Sequence, residues 1–309
     1  MDPMDWLFYA VLAQFFVAFS VIIDRYVLSK KMRNAYSYNI LTMLVDIIPI
    51  SLFVLLFPVT FVFPGSILGI LVGFAFVAGL LFYNMGMIKE EASRIVSLSF
   101  TYPLFTAVLA TVFLKEPLGT MQYIGIAAMV SGAVLISVKK FSFKGFKWIG
   151  NIFWLLILSS FLIGVEEVIA KYALNNMEYW QFWFWTLIGS ITGGILMLSR
   201  KKQRNDFLRN MKRLEAKTFV LVLGTCVSFY ISVLLTFIAL TKGYVFLVSA
   251  IGTTQPVFTL SLAVAISLWN PRILGENIGK NALIFKIAAI LLIVLGGYML
   301  TSQGYDLEI

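Results

Sequence analysis

Long apolar runs separated by short polar turns set the pattern of this chain from end to end. Ten runs approach or exceed the roughly 20 residues that a helix needs to cross a bilayer. They fall at about 6–23, 38–57, 66–88, 95–114, 120–138, 148–170, 180–198, 218–240, 244–269 and 283–301. The runs are continuous, unlike the ten-residue alternating segments of a transmembrane β-barrel. The predicted fold class is an all-α integral membrane protein with ten transmembrane helices.

Two runs share an interruption. Pro103 lies inside the fourth and Pro256 inside the ninth, a displacement of 153 residues. At that shift Lys89, Thr101, Phe105, Thr106, Leu109 and Ala110 fall on identical residues: Lys242, Thr254, Phe258, Thr259, Leu262 and Ala263. A shift of 146 lays Arg25-Tyr26 at the end of the first run on Lys171-Tyr172 at the end of the sixth. The chain therefore divides into residues 1–142 and 143–309, each with five runs. Five is odd, so the second copy enters the membrane from the opposite face and the halves are inverted. Inverted repeats meeting at a midplane site are the architecture of secondary transporters. A proline within a long helix removes one backbone hydrogen bond and bends the rod, so a kink is expected at each of the two prolines.

Composition agrees with the pattern. The chain is 60% hydrophobic and only 13% charged, against roughly 45–50% and 25% in soluble domains. Its net charge of +9 comes from loops on one side. All but three of the 24 basic residues lie there, the exceptions being Lys115, Lys171 and Lys242. The positive-inside rule then puts those loops in the cytoplasm and both termini outside. The N-terminal MDPMDW is acidic, unlike the basic start of a signal peptide. The linker KKFSFKGFKW interleaves lysines with rings, an interfacial anchor in preference to a nucleic-acid groove. The segment RKKQRNDFLRNMKRLEAK spaces Phe207, Leu208, Met211 and Leu214 as one helical face, which predicts an amphipathic helix on anionic inner-leaflet headgroups. There is no histidine, and Cys226 is the only cysteine. Intramolecular disulfides, His/Cys zinc sites and histidine-dependent nucleophilic catalysis are excluded, and no cofactor is expected.

Ionisable groups inside spans are costly and rare, so each is a candidate for function. Asp46 ranks first: it lies about 12 Å into the second run, and Pro49 three residues on perturbs the turn at Val45. A carboxylate there can bind a substrate amine or carry a proton, or else bond a neighbouring helix. Glu166 and Glu167 follow, near the outer end of the sixth run. Glu167 has Lys171 four residues on, in the favourable ion-pair order, whereas Glu166 points about 100° away around the helix and is the better cavity residue. Asp24-Arg25 ends the first run at the cytoplasmic boundary and reads as an anchor in preference to a gate. Gln14, Tyr83, Asn84, Tyr102, Thr254 and Gln255 add uncharged polar groups to spans, although such groups often only bond adjacent helices. Glu116 and Glu276 lie in short turns and fit capping better than substrate contact.

Pro103, then LKEPLG at 114–119, then an apolar run with Ile124-Gly125 and Ser131-Gly132, resembles the EamA-type module of the drug/metabolite transporter superfamily. The second half is similar but looser: Pro256, Gly275-Glu276 after a longer turn, and an apolar run from Ala288 to Gly297. The resemblance covers essentially the whole chain. It implies ten helices around a central cavity lined mainly by helices 1–4 and 6–9, with helices 5 and 10 peripheral. It also implies a multi-pass protein of the cell membrane that carries a small metabolite by alternating access. The expected cargo is an amino-acid-like or other polar or amphipathic solute, exported with proton coupling, by a monomer or homodimer. An enzyme is not expected; the alternatives are a flippase for lipid-linked substrates and a non-transporting scaffold.

Overall fold

Asp46 and the two mid-span prolines decide where the helices stop and start. The computed structural model describes residues 5–99, 101–115, 118–137, 141–142, 145–146, 151–252, 254–274 and 279–301. In the first half, α1 (Asp5–Tyr26) runs on into a π-helical turn (Val27–Lys31), followed by α2 (Ala35–Val45), α3 (Ile47–Leu56) and α4 (Gly65–Lys89). Then come α5 (Ala92–Ser99), α6 (Tyr102–Leu109), a second π-helical turn (Ala110–Leu114) and α7 (Thr120–Ser137). The second half holds α8 (Asn151–Leu174), α9 (Tyr179–Leu198), α10 (Lys201–Lys212), α11 (Ala216–Lys242), α12 (Val245–Gly252), α13 (Gln255–Trp269), α14 (Pro271–Leu274) and α15 (Lys280–Thr301). In the linker, Phe141 pairs with Phe146 and Ser142 with Gly145.

Six stretches are long and apolar enough to cross a membrane: Trp6–Lys31, Ala35–Leu56, Gly65–Lys89, Asn151–Leu174, Tyr179–Leu198 and Ala216–Lys242. Three shorter apolar stretches accompany them, Tyr102–Leu114, Gln255–Trp269 and Leu283–Met299. Large apolar side chains such as Leu55, Phe113, Trp154 and Leu268 are exposed on the outer faces of these helices. In a polytopic protein such a belt faces lipid. The LKEPLG and Gly275-Glu276 turns, with Glu116 and Glu276, fall wholly or partly outside the described residues.

At the expected kinks the helical hydrogen bonding is interrupted between separate segments, while Thr101 and Thr254 keep right-handed helical backbone. Pro103 and Pro256 each occupy the first turn of a new helix, α6 and α13, where a missing N–H costs nothing because those donors lack intrahelical partners. Pro103 leaves the Ser99 carbonyl, four residues earlier, without its helical donor, and the Ser160 hydroxyl of α8 reaches it at 3.0 Å, sharing its proton with the Leu156 carbonyl at 2.8 Å. A neighbouring helix thus satisfies the freed group, as a membrane interior demands. The second expected span is also divided. Pro49 cannot donate to Val45, and α2 gives way to α3 at Asp46, whose N–H reaches back only to Met43 at 3.2 Å.

The packing interleaves the two halves. α1 lies along α11, α4 lies along α8 and α9, α6 along α8, and α7 along α15. Small residues permit the close crossings. A Cβ on Gly73 of α4 would fall 2.6 Å from the Ser190 nitrogen of α9, and one on Gly132 of α7 would fall 2.6 Å from the Ala289 oxygen of α15. These positions admit only glycine without moving a helix. The amphipathic α10 packs on α2 and α9, burying Phe207, while Leu208 stays exposed. Asn210 Nδ2 donates to Ser37 Oγ at 2.8 Å, and Leu214 lies past the helix end, packed on the same core cluster.

Candidate functional site

Four carboxyl groups look into the interior between the helices. Asp24 comes from the last turn of α1, Asp46 from the α2–α3 break, and Glu166 and Glu167 from α8. They line three adjoining chambers that share walls. The largest, about 230 Å³, has Asp46, Glu166 and Glu167 on its walls. The second, about 150 Å³, has Asp24 and Glu166, and the smallest, about 50 Å³, has Asp24 and Asp46. The rest of the walls mixes apolar and aromatic side chains with Ser, Thr and Tyr hydroxyls and the Gln255 amide. Phe76 of α4 and Phe229 of α11 border all three chambers, stacked with centroids 5.4 Å apart. Among the described residues that line them there is no lysine or arginine.

Three of the four acids are held by hydroxyls from distant helices. Asp46, 5% exposed, accepts from Tyr230 OH of α11 at 2.6 Å and from Ser190 Oγ of α9. The α2–α3 break puts it in reach of both, so one carboxylate joins three transmembrane elements. Asp24 accepts from Thr225 Oγ1 of α11 at 2.8 Å and from Tyr38 OH of α2. Glu167 accepts from Thr106 Oγ1 of α6 at 3.0 Å and from Ser249 Oγ of α12. Lys171, a turn further along α8, donates to the carbonyls of Leu240 and Gly243, both at 2.8 Å.

Glu166 differs from these three. It lines both larger chambers and makes no hydrogen bond among the described residues. Gln255, the first residue of α13, lines the same two chambers at 8% exposure, and its side chain is likewise unpartnered. Tyr102 also borders both, with its hydroxyl donating to the Ser249 carbonyl at 3.2 Å. Tyr83 borders the 150 Å³ chamber, and its hydroxyl has no partner among the described residues.

Other polar residues singled out in the spans lie elsewhere. Asn84 is fully buried, its amide donating to Asn39, which in turn donates to the Val77 carbonyl at 3.2 Å. That chain ties α2 to α4 outside the chamber walls. Thr254 donates to the Ile251 carbonyl at 2.9 Å and closes the α12–α13 break. Gln14 is 8% exposed on α1 and borders no chamber; at the 146-residue shift it corresponds to Ser160, which serves the other break. Asp24, which in the sequence reads as a boundary anchor because Arg25 beside it gives the pair the look of a membrane edge, lies on two chamber walls. The Arg25 guanidinium donates to the Met87 carbonyl.

A polytopic helical protein with a central acidic cavity built from both halves of the chain is thereby defined. The family model for the EamA-like transporter family matches residues 4–138 and again residues 150–302. The chain belongs to that family, and through it to the drug/metabolite transporter superfamily, whose EamA members are membrane transporters and not enzymes. No curated protein matches it. One solved crystal structure is similar over 93% of this chain and 95% of its own, with a TM-score of 0.58 and 14% identity. At that identity the likeness speaks to the fold alone.

Proposed function

We propose that this protein is a secondary active transporter that carries a small polar or amphipathic solute across the cytoplasmic membrane by alternating access, as a proton-coupled exporter. The observation that carries the reading is the central cavity, where Asp46 from the first matched segment and Glu166 from the second line one chamber. Buried carboxyls at the junction of two repeats are where a transporter holds cargo or protons. Proton coupling fits Glu166, which no neighbouring donor holds in one state.

Ten transmembrane helices in two inverted halves, residues 1–142 and 143–309, agree with the packing. The first helix of each half lies along the third of the other: α1 on α11, α8 on α4. The first also meets the fourth of the other, α8 on α6 and α1 on α13. α7 pairs with α15, and neither lines a chamber. These contacts have counterparts when the halves are exchanged. α4 along α9 does not, since α11 meets α2 only slightly, and that asymmetry is what an exchange of conformations between the halves would reverse. Both termini lie outside in this reading, and the basic loops with α10 rest on anionic headgroups in the cytoplasmic leaflet.

Reconstitution tests the function. Proteoliposomes preloaded with each member of a broad metabolite panel, amino acids and amines included, should show counterflow for at least one solute. Net movement of that solute should carry protons, read by an internal pH dye. A folded, monodisperse protein that moves nothing in the panel would refute transport.

A further inference from the structure

The charge inventory of the cavity narrows the cargo beyond the transport reading, on which this step rests. Four carboxyl groups border the three chambers, and no described lining residue offers a compensating base. Asp46 accepts a hydroxyl on each oxygen, and Asp24 and Glu167 each accept two on a single oxygen, Oδ1 and Oε2. Glu166 and Gln255 are the two polar groups on the walls shared by the larger chambers that are left with hydrogen-bonding capacity unused. Gln255 is 8% exposed, and its amide, without a protein partner, is available to bond a ligand in the chamber.

We propose that the cargo is an organic cation: a primary or secondary ammonium on an apolar, ring-bearing body, with no carboxylate of its own. The ammonium sits at Glu166 in a charge-assisted hydrogen bond. A second N–H is accepted by the Gln255 amide oxygen, and the body lies against Phe76, Phe229 and Trp183, whose rings favour a nearby cation. The largest chamber, about 230 Å³, lies just below the roughly 300–1,000 Å³ of pockets for drug-sized ligands, which restricts the cargo to a small molecule. A carboxylate on the same solute would face the three acids of the largest chamber and find no lysine or arginine on the described walls. The cavity therefore selects by repulsion as well as attraction.

Three probes of near-equal size separate the charge classes: 2-phenylethylamine, phenylalanine and 3-phenylpropanoate. With the purified full chain, 2-phenylethylamine should raise the Tm saturably and support counterflow in proteoliposomes, and the other two should do neither. Glu166→Gln should weaken amine binding at least tenfold and Gln255→Leu severalfold, each with an unliganded Tm and monodispersity like wild type; Glu215→Gln, on the exposed surface, should leave it unchanged. Equal or better binding or counterflow with phenylalanine or 3-phenylpropanoate would overturn the cation inference while leaving transport intact. So would unaltered amine binding in folded Glu166→Gln, or failure of all three probes. Loss of transport itself is decided by the broad panel and not by these probes.

Discussion

Asp46 is held on both carboxyl oxygens, one by Tyr230 and the other by Ser190. Replacing it with asparagine keeps the size but converts two acceptor oxygens into one oxygen and one NH₂ donor. One of the two hydroxyls must then rotate or lose its partner. The expected outcome for Asp46→Asn is loss of transport by more than tenfold, with expression and monodispersity maintained; full counterflow activity would assign the residue to structure alone. Tyr230→Phe removes a single donor, a change on the order of 1–3 kcal/mol for a buried polar group, and should leave partial activity. The acid itself was legible because it is the only charge within its apolar run. Its partners were not: Ser190 and Tyr230 lie 144 and 184 residues away, and nothing in one sequence marks which of many span hydroxyls will meet it. Asn84 shows the converse, since the same kind of residue in the same kind of run goes to helix–helix bonding.

At the scale of single helices, the prolines at 103 and 256 were legible as interruptions, and Tyr102 and Gln255 lead the segments after them at the chamber wall. What was not legible is where the freed carbonyl finds a donor, a fact of tertiary packing that periodicity does not carry. Ser160 and Pro103 should therefore be coupled. Ser160→Ala orphans the Ser99 carbonyl and should destabilise the fold by about 1–3 kcal/mol. In a Pro103→Ala background, residue 103 regains an N–H that can reach Ser99 along a continuous helix, so the same Ser160 change should cost distinctly less. Thermal unfolding of the four proteins in detergent gives the coupling energy. Additive effects would show that Ser160 does not serve the break.

For the whole molecule, orientation was legible only as a charge count, and it has a consequence that the helices make testable. If the basic loops are cytoplasmic, Asn205 on α10 lies inside the cell and Thr241 at the end of α11 lies outside; both are exposed. The native thiol, Cys226, is buried and free, so a Cys226→Ala background removes it as a source of signal. A cysteine at Thr241 should then react with an impermeant maleimide in intact cells, and one at Asn205 only after permeabilisation. The inverse pattern would place the termini in the cytoplasm and reverse the sidedness of the acids. The order of the carboxyls along the cavity makes this matter for direction. Asp24 lies near the end of α1 that faces the basic loops, and Glu166 and Glu167 lie toward the opposite face. With the basic loops inside, cargo leaving the cell passes Asp24 before it reaches the unpartnered Glu166. With the loops outside, Glu166 becomes the first acid that an outgoing solute meets, and the same cavity would have to load from the group proposed here to complete its binding.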